Sequence, residues 1–266
     1  MGPKTHKKSV ILVLAGHDPS GGAGIQADIE AIASTGCHAA TVITSLTVQN
    51  TVEFQNAYHQ DPDHFRRQIE LVLADIEISA CKIGLISDLG ILAAIENTLL
   101  ILKEIPVVLD PVISSGTGKK IMTENIRGAL CEKLLPFTTV ITPNSIEARE
   151  LTGLDNLDDA ASELIKQGCH AVLITGTHEN TDKVINTLYV EKEKPLKFEW
   201  ERLQGNYHGS GCTLSSSIAA HLALGKNTRQ AVKEAQDYTW KSLKQGMKLG
   251  KGQIHPDRLF RIREKH

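Results

Sequence analysis

The segment His208-Gly-Ser-Gly-Cys-Thr213 sets two glycines around one small residue directly before an alanine-rich helical pattern. Successive backbone N–H groups at a helix start form an anion site, and the helix dipole adds to it. Gly209, Ser210 and Gly211 are therefore candidates to gather the oxygens of a transferring phosphoryl group, whose spread charge such donors stabilise. Cys212 falls in the first turn, where a thiol pKa tends to drop. That makes it a candidate to accept the proton of an attacking hydroxyl. The plainer reading is a helix start with a buried structural cysteine.

Four further segments carry candidate chemistry. Gly16-His-Asp-Pro-Ser-Gly-Gly-Ala-Gly-Ile-Gln-Ala-Asp28 has four glycines in nine residues, which lets backbone approach a ligand closely or adopt positive φ. Asp28, one turn into the following helix, is expected to reach back toward a bound polar ring. Thr47-Val-Gln-Asn-Thr51 reads as a polar loop in which the amide of Gln49 offers both donor and acceptor to an aminopyrimidine edge. Asp110 ends a strand at Leu109-Asp-Pro-Val, where a carboxylate can hold Mg²⁺ through water, and the Ser/Gly/Thr run after it can fold over phosphates. Asn144 and Glu147, three apart, have the spacing of a capping box; that reading and a metal–nucleotide role are compatible at the same rim.

Several nucleotide and metal motifs are missing. There is no Gly-x-x-x-x-Gly-Lys-[Ser/Thr] and no Gly-x-Gly-x-x-Gly. The protein-kinase set is absent, and the 11 histidines show no metal-ligand spacing such as His-Glu-x-x-His. Phosphates would have to be held by the glycine-rich helix start rather than by a P-loop.

These segments follow apolar, β-branched runs. Residues 10–15, 38–44, 80–84, 107–109, 138–142 and 171–175 read as strands, nearly uniform in apolarity and so covered on both faces. Helical patterns over 24–35, 62–75, 88–103, 124–134, 145–151 and 157–167 alternate with them, which implies parallel pairing through right-handed crossovers. Residues 183–190 and 196–202 read as an antiparallel addition, followed by helices over 212–224 and 228–245. The expected class is α/β with a mostly parallel central sheet, and ligands in such sheets bind beyond the carboxyl ends of the strands.

The 266 residues carry a net charge of −2, so no basic field points to nucleic acid or an anionic membrane. The lysine-bearing residues 1–8 read as a disordered tail, with residues 9–266 as a single domain. No apolar run reaches the roughly 18 residues of a membrane span. Five scattered cysteines without a CxxC pair support neither a disulfide framework nor a zinc ribbon, and fit a reducing cytoplasm.

Taken together, the motifs resemble those of the hydroxymethylpyrimidine/phosphomethylpyrimidine kinases of thiamin biosynthesis, in the ribokinase-like superfamily. Gly-x-Asp-Pro-Ser-Gly-Gly-Ala-Gly-Ile-Gln-Ala-Asp, Gln-Asn-Thr, Lys-Ile-Gly, Leu-Asp-Pro-Val, Thr-Pro-Asn-x-x-Glu-Ala and His-Gly-x-Gly-Cys-Thr stand in the family's order from Gly16 onward. The resemblance implies a three-layer αβα sandwich. It implies a pyrimidine pocket lined by Gly16, Ala23, Asp28, Gln49 and Leu85, with Gln49 bonded to the ring. Asp110, Asn144 and Glu147 would organise Mg·ATP, Gly209–Gly211 would form the anion hole, and Cys212 would be the base. ATP, Mg²⁺, sometimes a monovalent cation, and a homodimer belong to the same implication, as does a second transfer in some members.

Two departures stand out. The family often has a lysine and two glycines before a histidine at the triphosphate edge after the sixth strand; here the run is Thr175, Gly176, Thr177, His178. Leu85 replaces a frequent methionine, a volume-conserving change. A pyridoxal or pyridoxine kinase is the alternative within the class, since vitamin B6 compounds also present a hydroxymethyl group on a nitrogen heterocycle. A non-catalytic nucleotide or ligand sensor is the alternative outside it.

Overall fold

The structure, a computed structural model, describes residues 8–263. Apart from Lys8, the tail expected at residues 1–8 lies outside them. Nine strands form one sheet in the order β3-β2-β1-β4-β5-β6-β7-β8-β9. They are β1 Val10–His17, β2 His38–Gln49, β3 Phe54–His59, β4 Ala80–Ile83, β5 Val107–Leu109, β6 Val140–Ile141, β7 Ala171–Ile174, β8 Lys183–Val190 and β9 Leu196–Glu201. The run from β2 to β7 is parallel, and β3, β8 and β9 add antiparallel edges.

Strand β1 shows why the pattern is apolar without alternation. Ile11, Val13 and Ala15 face one core with Ile25, Ile32, Leu214, Ile218 and Val232. Leu12 and Leu14 face the other, with Phe65, Ile91, Ile95, Leu130 and Leu164. The first layer contains α1 Gly24–Ser34, α7 Ser210–Ala223 and α8 Thr228–Lys244; the second contains α2 Pro62–Asp75, α3 Leu89–Ile101, α4 Glu124–Lys133, α5 Ser145–Thr152 and α6 Leu157–Lys166. This is the expected three-layer αβα sandwich. Each fully buried Leu or Ile contributes about 1.5–3 kcal/mol relative to exposure.

Helix α7 lies between the sheet and helices α1 and α8, with its small residues Ser215, Ser216, Ser217, Ala219 and Ala220 fully buried. That composition lets its axis approach β4 and β5 closely. The N-terminus of α7 therefore ends up above the carboxyl ends of those strands.

The antiparallel edge at β3 departs from the sequence reading. Residues 47–51 are expected as a loop, yet β2 continues to Gln49 and pairs with β3. Beyond Ser45 one face of β2 is open, so Leu46 and Val48 alternate with buried Thr47, and the mixed polarity hides the strand. The turn is closed by Asn50, whose side-chain oxygen accepts from Val52 N and Glu53 N. Strand β6 is shorter than expected, and a last short helix, α9 Phe260–Arg263, follows a segment with no regular pattern.

That segment holds Arg258, 2% exposed. Its guanidinium donates to Thr213 Oγ1 at 2.8 Å, Glu30 at 3.1 Å, Gly21 O at 3.4 Å and Gly22 O. Its carbonyl accepts from Ser34 and Tyr238. The side chain thus joins the first glycine loop, α1 and α7, and the carbonyl of the same residue adds α8. Arg258→Met leaves these acceptors unpaired. It is expected to cost about 3–5 kcal/mol in urea unfolding and to lower Tm by on the order of 10 °C; a change within error would mean that water replaces the guanidinium.

Candidate active site

The two glycine-rich segments interlock. Asp18 accepts from Ser20 N, Ser20 Oγ and Ala23 N, each at 2.9 Å, and pairs with His208 Nε2 at 2.8 Å. Gly24 has φ +60°, and a Cβ there would lie 2.2 Å from Gly16 O. Gly209 has φ +76°, and its Cβ would lie 2.0 Å from Gly22 O. Both positions exclude any side chain, for conformational and steric reasons together. The start of α7 is thereby locked against the end of β1, with Gly211 open to solvent.

Below Gly211 lies a cluster of buried charge. A Cβ on Gly211 would be 3.7 Å from Asp110. Lys82, from the apolar strand β4, donates to Asp28 Oδ1 at 2.9 Å and stands 3.9 Å from Asp110. Ser216 also donates to Asp28, and Ser215 to Asp110. Burial alone would lower the Lys82 pKa, but Asp28, Cys212 and Asp110 outweigh it and raise it, so the side chain stays an ammonium. Burial raises Asp110 above the usual carboxylate range; the Asp28 charge adds to this and Lys82 opposes it.

This geometry corrects one expectation and places another. Asp28 has no exposed surface; its Oδ1 is bonded to Lys82 and Ser216, while its Oδ2 has no hydrogen-bond partner. The Cys212 thiol is not lowered by its helix position. Burial pushes it up to about 12, with Lys82 and a hydrogen bond from the Gly24 amide opposing, and Asp110 and Asp28 adding to the rise. The dipole of a first turn is a weaker effect than desolvation here. The half-buried thiol lies close enough to Asp110 for each group to shift the other.

On one side of Cys212 the end of β1 meets β2 and the segment after β4. A Cβ on Gly16 would lie 3.0 Å from Leu85 Cδ2 and 3.5 Å from Ser45 O, so Gly16 and Leu85 stand together as expected. Ser45 and Ser87 share a hydrogen bond at 2.6 Å. Gln49 Nε2 donates to Thr47 Oγ1 at 2.8 Å. Ala23, the N-cap of α1, contributes its amide to Asp18.

On the other side, Asn144 and Glu147 form the full capping box of α5. Glu147 accepts from Asn144 N at 2.9 Å and from Ile113 N at 3.4 Å. Burial, then the charge of Asp110, pushes its carboxyl up to about 8 against those bonds. Ser145 N donates to Thr175 O, and Gly176 N to Asn186 Oδ1. Asn186 is in turn held by Gln236, which also accepts from Trp200. Where the lysine is missing, Arg202 binds the carbonyls of Thr177, Glu179 and Thr181, and Arg149 pairs with Glu179 at 2.8 Å. The Ser/Gly/Thr run is a small flap, bridged between Ser114 and Lys120, with Gly116 O bonded to Gln253 and packed near His208.

Sequence reasoning passes over Lys82, Asp18, His208 and Arg258 as functional groups. The signal for Lys82 is a lone charge inside Ala80-Cys-Lys-Ile83; for the Asp18–His208 pair it is that each lies inside a glycine motif. Arg258 has no local signal. Among the described residues no group of three or more His, Cys, Asp or Glu side chains converges as a metal site.

Asp18 gives a pH prediction. Burial tends to raise its pKa, but the bonds from His208, Ser20 and the backbone hold it at about 2, below the ordinary 3.8. A depressed carboxyl stabilises the fold fully above the unfolded value and loses that contribution as pH falls through the folded one. The shift corresponds to roughly 2 kcal/mol. Asp18→Asn is expected to reduce unfolding free energy by about 2 kcal/mol or more above pH ~4, and to flatten its fall between pH ~4 and ~2. Parallel pH curves for the two proteins in urea titrations would contradict this.

Comparison with known proteins agrees with this geometry. The family model described as phosphomethylpyrimidine kinase matches residues 18–257. The hydroxymethylpyrimidine/phosphomethylpyrimidine kinase of Staphylococcus aureus (strain MRSA252) is 33% identical over 253 residues, 92% of each chain. Among solved structures, an ADP complex of Bacillus subtilis pyridoxal kinase superposes with a TM-score of 0.88 at 29% identity, covering 95% of this chain and 98% of that one. The phosphomethylpyrimidine kinase of Clostridium difficile 630 superposes with a TM-score of 0.77 at 32% identity, covering 89% and 100%. With its glycine motifs interlocked around a thiol–carboxylate pair at the strand ends, the chain belongs to the phosphomethylpyrimidine kinase family and is a phosphotransferase of that kind.

Proposed function

We propose that this kinase transfers the γ-phosphoryl group of ATP to the hydroxymethyl oxygen of 4-amino-5-hydroxymethyl-2-methylpyrimidine. A second transfer, to the monophosphate, completes its part in thiamin biosynthesis or salvage. The observation that carries the reading is the α7 start, open at Gly211, where a Cβ would lie 3.7 Å from Asp110 beside Cys212, together with the Gly16–Leu85 contact at the end of β1. Residues 9–266 act as one kinase domain in this reading.

The alcohol oxygen bonds to the γ-phosphorus as the bond from that phosphorus to the bridging oxygen breaks, releasing ADP. The N–H groups of Gly209–Gly211 take up the charge that develops on the phosphoryl oxygens. The hydroxyl proton passes to Cys212 Sγ while the thiol proton passes to the neighbouring Asp110 carboxylate. The thiol therefore never has to exist as a free thiolate at rest. Asp110 and Glu147 repel each other and are both raised, which fits two carboxyl groups that await a cation. Mg²⁺ would be held by them through water and by phosphate, as magnesium prefers, and would neutralise triphosphate charge when bound.

Pyridoxal or pyridoxine is the second reading, favoured by the likeness to the Bacillus subtilis pyridoxal kinase. Parallel initial rates with both substrate types separate the two. The proposed setting is the reducing cytoplasm, in keeping with five free cysteines; among the described residues no helix is long and apolar enough to cross a membrane.

A homodimer is part of the proposal. Leu46 and Tyr58 oppose each other on β2 and β3 beside Val48, exposed by 43%, 59% and 43%, which is an apolar patch suited to a second copy. Leu46→Glu is expected to shift the mass in sedimentation from dimer to monomer, and an unchanged mass would place the interface elsewhere. The reaction itself is tested by phosphorus NMR of products from the hydroxymethylpyrimidine and Mg·ATP, which separates no reaction, monophosphate and diphosphate. Cys212→Ala is expected to depress turnover by roughly 10²–10⁴ with little change in ATP binding. Near-normal turnover would remove the thiol from the proton path.

A further inference from the structure

Strand parity on β2 sets Ser45, Thr47 and Gln49 on one face, opposite Leu46 and Val48. Thr47 is 9% exposed, and its Oγ1 makes two bonds. It donates to His17 O at 2.9 Å and accepts from Gln49 Nε2 at 2.8 Å. A threonine hydroxyl has one proton. With that proton committed to the His17 carbonyl, Thr47 has only an acceptor to offer Gln49. The nitrogen of the Gln49 amide must then face Thr47, and its carbonyl oxygen must turn away. Amide orientation follows from such hydrogen-bond networks, and this one leaves a single solution.

We propose that Thr47 is a specificity-determining positioning residue, which fixes the Gln49 amide so that a ring in the pocket meets an acceptor, Oε1, beside one remaining N–H donor. That pair complements an amidine edge, in which a ring nitrogen accepts and the neighbouring amino group donates. It opposes the edge of the corresponding oxo compound, in which the ring nitrogen carries a proton and the exocyclic oxygen accepts. A site with fixed buried polarity rejects the reversed edge because both partners are left unpaired. A freely turning glutamine would accept either. His17 enters through its backbone carbonyl, so the device is set by the main-chain path at the end of β1 and not by the imidazole.

The inference rests on the pyrimidine kinase reading, and the experiment separates the two. Initial rates are measured with 4-amino-5-hydroxymethyl-2-methylpyrimidine and with its 4-oxo analogue, for the wild type, Thr47→Val, Thr47→Ala and Thr47→Ser. The wild type is expected to favour the amine by ~10²-fold or more in kcat/KM. Thr47→Val is expected to reduce that preference to about 10-fold or less, chiefly through KM, since the freed amide can turn. Thr47→Ala removes the acceptor without adding bulk and should do the same if the valine variant does not fold. Thr47→Ser keeps the hydroxyl and should keep the preference. A merely structural role for Thr47 would lower both substrates' rates together and leave their ratio intact, which overturns the proposal. So does a wild type that phosphorylates both compounds equally. A wild type inactive on the amine overturns the pyrimidine reading itself, and the proposal with it.

Discussion

Lys82 Nζ stands 2.9 Å from Asp28 and 3.9 Å from Asp110, and neither it nor Asp28 has any exposed surface. Taking such ions out of water costs several kcal/mol each, and the mutual attraction repays this only when the remaining valences are satisfied. Ser216 and Ser215 each add a bond to one of the carboxylates, though Asp28 Oδ2 stays without a partner. Those serines lie on α7, Asp28 on α1, Lys82 on β4 and Asp110 at the end of β5. One buried charge cluster thus fixes two helices and two strands relative to one another, next to the Cys212 thiol. An apolar replacement would pack as tightly, but it would not dictate which turn of α7 sits over which strand.

The floor set by charge is matched by a roof set by backbone. Gly24 and Gly209 are held at positive φ and leave no room for a Cβ, so at Gly209 the two glycine motifs meet main chain to main chain. Asp18 and His208 close that contact from one side, and Arg258 closes it from another. The backbone of Gly209–Gly211 is therefore fixed before any ligand binds, as the proposed phosphoryl site requires. Electrostatic stabilisation of this kind works because the dipoles do not have to reorganise during the reaction.

Much of this architecture is readable in the sequence where one physical rule acts alone. Strands covered on both faces must be apolar throughout, and β1, β4 and β7 are. Helix starts that bind anions need glycine, and residues 209–211 supply it. The capping box at Asn144 and Glu147 also stands as spaced. What stays hidden depends on partners remote in sequence. Lys82 reads as a stray charge in an apolar strand until Asp28, 54 residues away, comes beside it. Asp28 itself is legible as a polar group near a ligand loop, but whether it faces ligand or core is decided by α7. Strand β3 is obscured because one face of β2 is open near the edge, which mixes its polarity. Arg258 belongs to a segment whose shape comes wholly from tertiary contacts.

The choice of a thiol at position 212 follows from the charge already present. Asp28 and Asp110 face a single ammonium, and Glu147 beside them is pushed up to about 8, so the pocket resists further negative charge. A carboxylate at 212 would add a third acidic group against Asp110, and like charges this close cannot all ionise. A cysteine remains neutral there, its thiol pushed up to about 12, and sits beside Asp110 without adding charge. The same neutrality suits the reaction. The anionic triphosphate meets a polar but uncharged side chain, and negative charge on sulfur need arise only transiently, when the hydroxyl proton is already on its way. In the proposed transfer the acid–base work is shared between a thiol that is hard to ionise and a neighbouring carboxylate that burial raises, which is the combination that burial around Lys82 produces.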